Sequence, residues 1–358
     1  MSSEFVSNEE IVQAARRNLV QTAWDYLAGA SESETTMRRN RLAFDRLAFR
    51  PRELMDVSNI DTSTTCLGNQ MRIPVMLAPI GSLQTFTPEG GAAATKAAAE
   101  FGTMHVVSTG TEPGFEAIAS SADNPKVFQL YVRGDWGWIE DIIGRVKEAG
   151  YLALCLTVDT AHYSRRERVM MNQSAPPTTR NPRDSSYQAA LTWEKMDRIK
   201  ELAGLPFMLK GVATAADAAL AVEHGVDVIW VSNHGGRQLD HGLGTMDVLP
   251  EIMEAVAGRA EVVLDGGIQR GSDVLKAVAL GAKAVAIGKL QGWGLAAAGQ
   301  EGLARVLEIL EDELVCAMGL LGVTSLDQLA PAHLCKADVV TMPHEMSAWV
   351  NMPQGRIL

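Results

Sequence analysis

The sequence predicts an α/β protein: an eight-stranded parallel (β/α) TIM barrel with an N-terminal helical extension and a mobile loop after the fourth strand. Three observations carry that reading. Short runs rich in Val, Ile and Leu recur from residue 74 onward. Alanine-rich stretches with helical spacing separate most of them, which is the alternation of a parallel sheet covered by helices. The runs number eight over about 240 residues, whereas an open doubly wound sheet usually has about five or six strands.

The expected strands are PVMLAPI (74–80), MHVVST (104–109), KVFQLYV (126–132), ALCLTVD (153–159), PFMLKGV (206–212), VIWVSNH (228–234), EVVLDGG (261–267) and AVAIGK (284–289). Residues 1–70 form a helical preface, amphipathic over 8–28, with a second helix over about 32–44. The rhythm breaks once, at 165–192, where RRERVMMNQSAPPTTRNPRDSSYQAALT is polar and rich in Pro, Ser, Thr and Arg. That segment is expected to be an active-site loop or lid. Beyond about residue 300 another helix is followed by irregular chain, so residues 1–358 are expected to form a single barrel domain.

Composition sets bounds on function. The chain is 47% hydrophobic and 21% charged, which is globular rather than disordered. Its formal charge of −11 argues against a nucleic-acid or anionic-membrane surface, because both need dense Lys/Arg patches. Local arginines can still bind a small anion. Cys66, Cys155, Cys316 and Cys335 are too widely spaced for a CxxC metal pair or a disulfide framework, which suits a reducing cytoplasm. The start MSSEFVSNEE has no basic segment leading into an apolar core, and the ending GRIL is not an SKL-type address. No apolar run reaches the length of about 18 residues that a membrane span needs. The seven histidines form no HExxH or close ligand set, so no metal is expected.

In such a barrel the active site lies at the C-terminal strand ends. Polar residues collect there: Ser108; Gln129 and Tyr131; Thr157 and Asp159; Lys210; the run SNHGGRQLD with Ser232, His234 and Arg237; Asp265; Gly288 and Lys289. A single histidine at a strand end is ordinarily a hydrogen-bonded structural residue. Seven of eight strands ending in polar side chains at one mouth is a stronger signal. His234, followed by Gly235, Gly236 and Arg237, puts an imidazole and a guanidinium in one tight turn that a ligand can approach closely. Asp159 is the best partner for that imidazole, since a carboxylate raises its basicity; its plainer reading is a carboxylate satisfied by backbone amides. Lys210 fits a Schiff-base nucleophile, a cation beside a developing negative charge, or a salt-bridge partner. LDGGIQRG opens a helix at a Gly-rich turn and AIGK follows one βα unit later, the barrel arrangement for a phosphate held by backbone amides, although such turns also serve packing alone. His162 reads as a rim residue; Trp230, Trp293 and the methionines read as core.

Together these segments resemble the FMN-dependent 2-hydroxy acid oxidase and dehydrogenase family. The most specific motif is SNHGGRQLD, supported in order by DYLAGA, FRPRELMDVSNIDTST, PVMLAPIGSLQTFTPEG, FQLYV, LTVDT with RRE, LKGV and DGGIQRGSDVLKAVALGA. The resemblance implies FMN across the barrel mouth, with Ala78, Pro79, Ile80 and Gly81 near the ring. Ser108, Gln129, Thr157 and Lys210 would lie at its polar edge, and Ser232 would be a further cofactor contact. Asp265, Gly266, Gly267, Gln269, Gly288 and Lys289 would border the ribityl chain and phosphate. It further implies His234 as general base, Asp159 as its partner, Lys210 stabilising the reduced flavin, and Tyr26, Tyr131, Arg166 and Arg237 holding the substrate.

The implied reaction oxidises an (S)-2-hydroxy acid to the 2-keto acid and passes electrons to O2 or, in the dehydrogenases, to another acceptor. A homo-oligomer, tetramer or octamer, is implied as well. The sequence departs from the family in four places. Gln269 and Lys289 stand where arginines are usual, which weakens the expected phosphate clamp unless Arg270 and Lys289 compensate. Gly81 replaces an alanine of several oxidases, and Gly110 a bulky aromatic of glycolate oxidase, so a larger or aromatic substrate is expected. A non-redox barrel, such as a Lys210 aldolase or a phosphate-binding isomerase, is the rival reading, and a catalytically silent flavin- or metabolite-binding protein is another.

Overall fold

All eight expected runs form strands, and they close into a parallel barrel. The computed structural model describes residues 5–173, 185–340, 342, 344 and 346–350. The strands are β1 (Val75–Leu77), β2 (His105–Ser108), β3 (Lys126–Leu130), β4 (Ala153–Thr157), β5 (Phe207–Val212), β6 (Val228–Val231), β7 (Glu261–Asp265) and β8 (Ala284–Ile287). Each hydrogen-bonds the next in sequence and β8 returns to β1. The strands are buried along almost their whole length, because the βα crossovers cover one face and the barrel interior fills the other.

Two apolar clusters divide the core. The larger lies between strands and helices, while the smaller fills the barrel with Met76, Val106, Val127, Cys155, Met208, Val228, Trp230, Val263 and Ala286. A hairpin pairing Thr64–Cys66 with Asn69–Met71 adds Cys66 and Met71 to the inner cluster, and Glu261 at the start of β7 accepts a hydrogen bond from its Leu67 amide at 2.9 Å. The N-terminal mouth is thereby plugged, leaving the C-terminal mouth for ligands.

The preface differs from its expected form in one respect. Instead of one amphipathic helix over 8–28, it makes α1 (Asn8–Asn18) and α2 (Gln21–Ala28), with Leu19 and Val20 extended between them. The break turns α2 toward the barrel mouth, where Tyr26 is buried. The second expected helix is α3 (Thr35–Asp45). The terminal helix starts earlier than expected: it runs from Lys289 to Leu321, with Ala298 and Gly299 outside helical geometry. β8 therefore feeds directly into the helix that α1 packs against.

The segment after β4 is a short helix, Glu167–Met171, then residues 174–184, outside the described residues, then a second short helix, Ser185–Ala189. Its first flank is anchored. Arg168 pairs with Glu34, Asn172 donates to Asp25 at 2.6 Å, and the Arg165 carbonyl accepts from Glu32 N–H at 2.8 Å.

α3 is fixed by a buried ion pair. Both terminal nitrogens of Arg41 reach Asp273 at 2.7 Å, Asp45 adds a third contact at 2.9 Å, and Arg41 also donates to the Gly267 carbonyl at 2.9 Å. Burial alone would push the Asp273 carboxyl up, but Arg41 outweighs it and holds the group below its usual range. Replacing Asp273 with Ala leaves the buried guanidinium with Asp45 as its remaining carboxylate and the Gly267 carbonyl as its other acceptor. Urea denaturation should then show stability reduced by about 3–5 kcal/mol; a loss under about 1 kcal/mol would show that solvent reaches Arg41 at little cost.

Candidate active site

At the C-terminal mouth lies a cavity of about 400 Å³. Tyr26, the four residues Ala78–Gly81, Ser108, Tyr131, Arg166, Lys210, His234, Arg237, Asp265, Gly266, Gly267, Gln269, Gly288 and Lys289 all line it. Of the other expected site residues, Gln129, Thr157 and Ser232 are fully buried at the strand ends, and Asp159 hydrogen-bonds His234.

His234 sits in a turn that side chains seldom adopt: φ is 59° at His234, 66° at Gly235 and 76° at Gly236. Gly236 is required there, since a Cβ would lie 2.5 Å from the Met37 backbone nitrogen. Three left-handed residues in succession swing the imidazole over the mouth, at a cost in strain that the surrounding contacts must offset. Asn233 holds the turn by accepting from Gly236 N–H at 3.1 Å and by exchanging amide hydrogen bonds of 2.7 and 2.9 Å with Asn40 of α3.

The Asp159 carboxylate accepts from Nδ1 of His234 at 2.9 Å, and the Tyr131 hydroxyl lies 3.3 Å from Nε2. With its proton on Nδ1, the ring offers its Nε2 lone pair to the cavity. Burial pulls the His234 pKa down and Lys210 and Arg166 add to that, against the opposing effect of Asp159, so the ring is neutral at neutral pH. Burial opposes ionisation of Asp159, but His234 and Lys210 prevail and hold it below the usual carboxylate range. Tyr131, buried, stays a phenol well above its ordinary pKa.

Two guanidiniums face the same space. Nη1 of Arg237 donates to the Tyr26 and Gly29 carbonyls at the end of α2, each at 2.7 Å, which leaves Nη2 turned elsewhere. Burial and the neighbouring Arg166 pull the Arg237 pKa down to about 10. Arg166 donates from Nε to the Arg237 carbonyl and from Nη2 to Gln238, both at 3.3 Å. Two cations so placed attract an anion between them.

Lys210 donates to Ser232 Oγ at 2.9 Å and pairs with Asp265 at 3.2 Å, while Ser232 donates to Asp265 at 2.7 Å. Burial would lower the Lys210 pKa, but Asp265 and Asp159 carry it above its ordinary value. An ammonium held in this way is not the neutral amine a Schiff base requires, which removes the support for the aldolase reading.

The Gly-rich turn is present, with Gly266 and Gly267 in the left-handed region against Asn40. Gln269 and Arg270 N–H both donate to Asp273 at 3.0 Å. Arg270 does not compensate for the missing arginines: its side chain leaves the mouth to bind Glu313 at 2.6 Å and the Ala348 carbonyl at 3.1 Å. Lys289 lines the cavity but donates to the Ala28 carbonyl at 2.6 Å.

Three participants escaped sequence reasoning. Asn40 joins the His234 turn to the Gly266–Gly267 turn. Gln188 bridges the diverging ends of β3 and β4, accepting from Val132 N–H at 2.8 Å and donating to the Thr157 carbonyl at 2.6 Å. Arg41 approaches from α3. For Asn40 and Arg41 the available signal was polar residues on the buried face of a helix; Gln188 had none.

Comparison with known proteins identifies the fold's lineage. The sequence profile described as FMN-dependent dehydrogenase matches residues 15–336. This chain belongs to that family. It is 41% identical to L-lactate oxidase of Nostoc sp. over 352 residues, covering 91% of this chain and 96% of the relative. It is 38% identical to glycolate oxidase of Spinacia oleracea over 353 residues, covering 92% and 96%. A mandelate oxidase variant solved with the C4a-OH-FMN adduct superimposes with a TM-score of 0.86 at 38% identity, covering 92% of this chain and all of that one. The chain is therefore an FMN-dependent 2-hydroxy acid oxidoreductase acting on a CH–OH donor.

The residues present fit FMN. Both amide atoms of Gln129 and the hydroxyl of Thr157 are buried without a protein hydrogen-bond partner. They sit beside Ser108 and Lys210 in register, Gln129 across from Ser108 and Thr157 across from Lys210. Buried polar groups left in this state normally await a partner. A heteroaromatic ring edge carrying both donors and acceptors supplies one.

Proposed function

We propose that this chain oxidises an (S)-2-hydroxy acid larger than glycolate, including aromatic ones, to the 2-keto acid, with O2 as the electron acceptor. One observation carries the reading: a neutral, carboxylate-backed His234 stands beside the half-buried Arg166 and Arg237 in the cavity that FMN would share. The oxidases among its relatives support the choice of acceptor, and Gly81 and Gly110 on the cavity wall support the larger substrate.

In this reading the substrate carboxylate lies between Arg237 and Arg166, where desolvated cations bind it most strongly. Tyr26 and Tyr131 orient it. That places the hydroxyl-bearing carbon against His234 Nε2, which takes the departing proton. Asp159 holds the ring's tautomer and stabilises the imidazolium that forms. Bound FMN supplies the two-electron acceptor. Ala78, Pro79, Ile80 and Gly81 would hold it together with Gln129, Thr157 and Ser108, and the Lys210 ammonium, fixed by Ser232 and Asp265, would favour gain of negative charge on it. Gly266, Gly267, Gln269, Gly288 and Lys289 receive the phosphate end. With no free arginine at 269 or 289, that grip is weaker than in arginine-bearing relatives.

Anaerobic mixing with a panel of 2-hydroxy acids should bleach the flavin, and turnover under air should release peroxide. Turnover only with an artificial acceptor would make the chain a dehydrogenase instead. A highest kcat/KM with glycolate would overturn the size preference.

The pH dependence follows from His234. The base must be neutral, and its pKa is depressed, so activity is retained down to the folded pKa and lost only below it. The acid limb of kcat/KM should therefore fall below the ordinary imidazole value of 6.5. Asp159→Asn removes the group that raises that pKa, so the limb should move lower still while the rate drops on the order of 10²–10⁴-fold. An acid limb above 6.5 would count against His234 as the base.

A second prediction concerns the cofactor. Gln129→Met removes a buried amide that lacks a protein partner, so the flavin-free protein should gain stability by about 1 kcal/mol. The same change should weaken FMN binding by roughly 10–100-fold, read by quenching of flavin fluorescence on titration. Loss of stability in the flavin-free form, or unaltered FMN affinity, would place Gln129 away from the cofactor.

A further inference from the structure

The cavity holds one cation that the reaction leaves without a task. Lys210 is answered by Asp265, Arg41 by Asp273 and Asp45, and Lys289 by the Ala28 carbonyl. Arg166 and Arg237 face the substrate carboxylate in the reading above. Arg133 remains. It follows the end of β3, lines the cavity, and has its guanidinium carbon 5.9 Å from the centroid of the Tyr131 ring. Among the described residues no carboxylate pairs with it.

The Tyr131 side chain touches both His234 and Arg133. Its hydroxyl is 3.3 Å from His234 Nε2, and its ring is what Arg133 packs over. A substrate with its hydroxyl-bearing carbon at His234 and its side chain running along Tyr131 brings the far end of that side chain to Arg133. An arginine with no counter-charge among the described residues, on the wall of a part-apolar cavity, selects a planar anion, because a carboxylate offers two acceptors to its fork.

We propose that Arg133 reads a second carboxylate, so that the preferred substrate class is a short 2-hydroxy dicarboxylate. The proposal rests on the function stated above and narrows it. Glycolate has no side chain to reach Arg133, and a monocarboxylate leaves its charge unanswered. Six cations around one cavity, in a chain of net charge −11, also favour entry of a dianion over a monoanion.

The test compares (S)-2-hydroxyglutarate with its terminal amide, which keeps the shape and removes the distal charge. The wild-type holoenzyme should favour the dicarboxylate in kcat/KM by about tenfold or more. Arg133→Met should bring that ratio close to one, Arg133→Lys should keep part of it, and Arg133→Glu should invert it. Flavin content and thermal melting of each variant show whether it has folded. A wild-type ratio at or below one, or a ratio unchanged in both Arg133→Met and Arg133→Glu, overturns the proposal. If no 2-hydroxy acid bleaches the flavin, the underlying function fails; if the amide and monocarboxylates bleach it with a ratio near one, only the role of Arg133 fails.

Discussion

The contact between Asp159 and His234 joins the ends of β4 and β6, which are not neighbours: β5 runs between them. The carboxylate can cross only if β5 leaves room. It does so at Gly211, where φ is 111° and a Cβ would sit 2.8 Å from both the Cβ and the nitrogen of Asp159. The same point carries the register irregularity between Lys210 and Val212. A bulge re-aims the chain locally. Here it also sets Lys210 inward toward Ser232 and Asp265 while clearing the path behind it. One missing methyl group thus underlies the orientation of the imidazole and, through the burial it permits, its neutrality.

The turn holding His234 needs support from outside the barrel, and the helical preface supplies it. Asn40 pairs with Asn233, Met37 packs on Gly236, and the end of α2 receives Arg237 through the Tyr26 and Gly29 carbonyls. α3 is in turn held by Arg41 against Asp273, a residue that also caps the amides of Gln269 and Arg270. His234, Arg237 and the Gly-rich turn therefore share one foundation. The break at Leu19 and Val20 allows this, because a single straight helix over 8–28 would not deliver α2 to the mouth.

Strand positions were legible because a parallel barrel buries both faces of each strand, which leaves short apolar runs that stand out from alanine-rich helices. The polar strand ends were legible for the complementary reason: an ionisable side chain closing an apolar run has few structural uses. What was hidden depends on direction. Arg270 and Lys289 both read as spare cations near a phosphate, yet Arg270 turns outward to Glu313, and only the packing of the terminal helix decides that. Gln188 lies in a polar segment that offers no periodicity, and it matters only because β3 and β4 splay where it bridges them. The break between α1 and α2 carried no glycine or proline to mark it.

Charge distribution separates the site from the rest of the molecule. A chain of net charge −11 gathers Arg41, Arg133, Arg166, Lys210, Arg237 and Lys289 around one cavity, with Asp265 as the carboxylate on its wall. Lys210 and Arg41 are balanced by carboxylates, but holding Arg237 charged is costly: burial first, and then the neighbouring Arg166, depress its pKa. That cost is offset when anions arrive. FMN brings a phosphate and the substrate a carboxylate, so each ligand relieves repulsion that the protein alone must bear. Binding and fold stability are therefore coupled at Arg237, whose charge is held at a cost that an anionic ligand relieves.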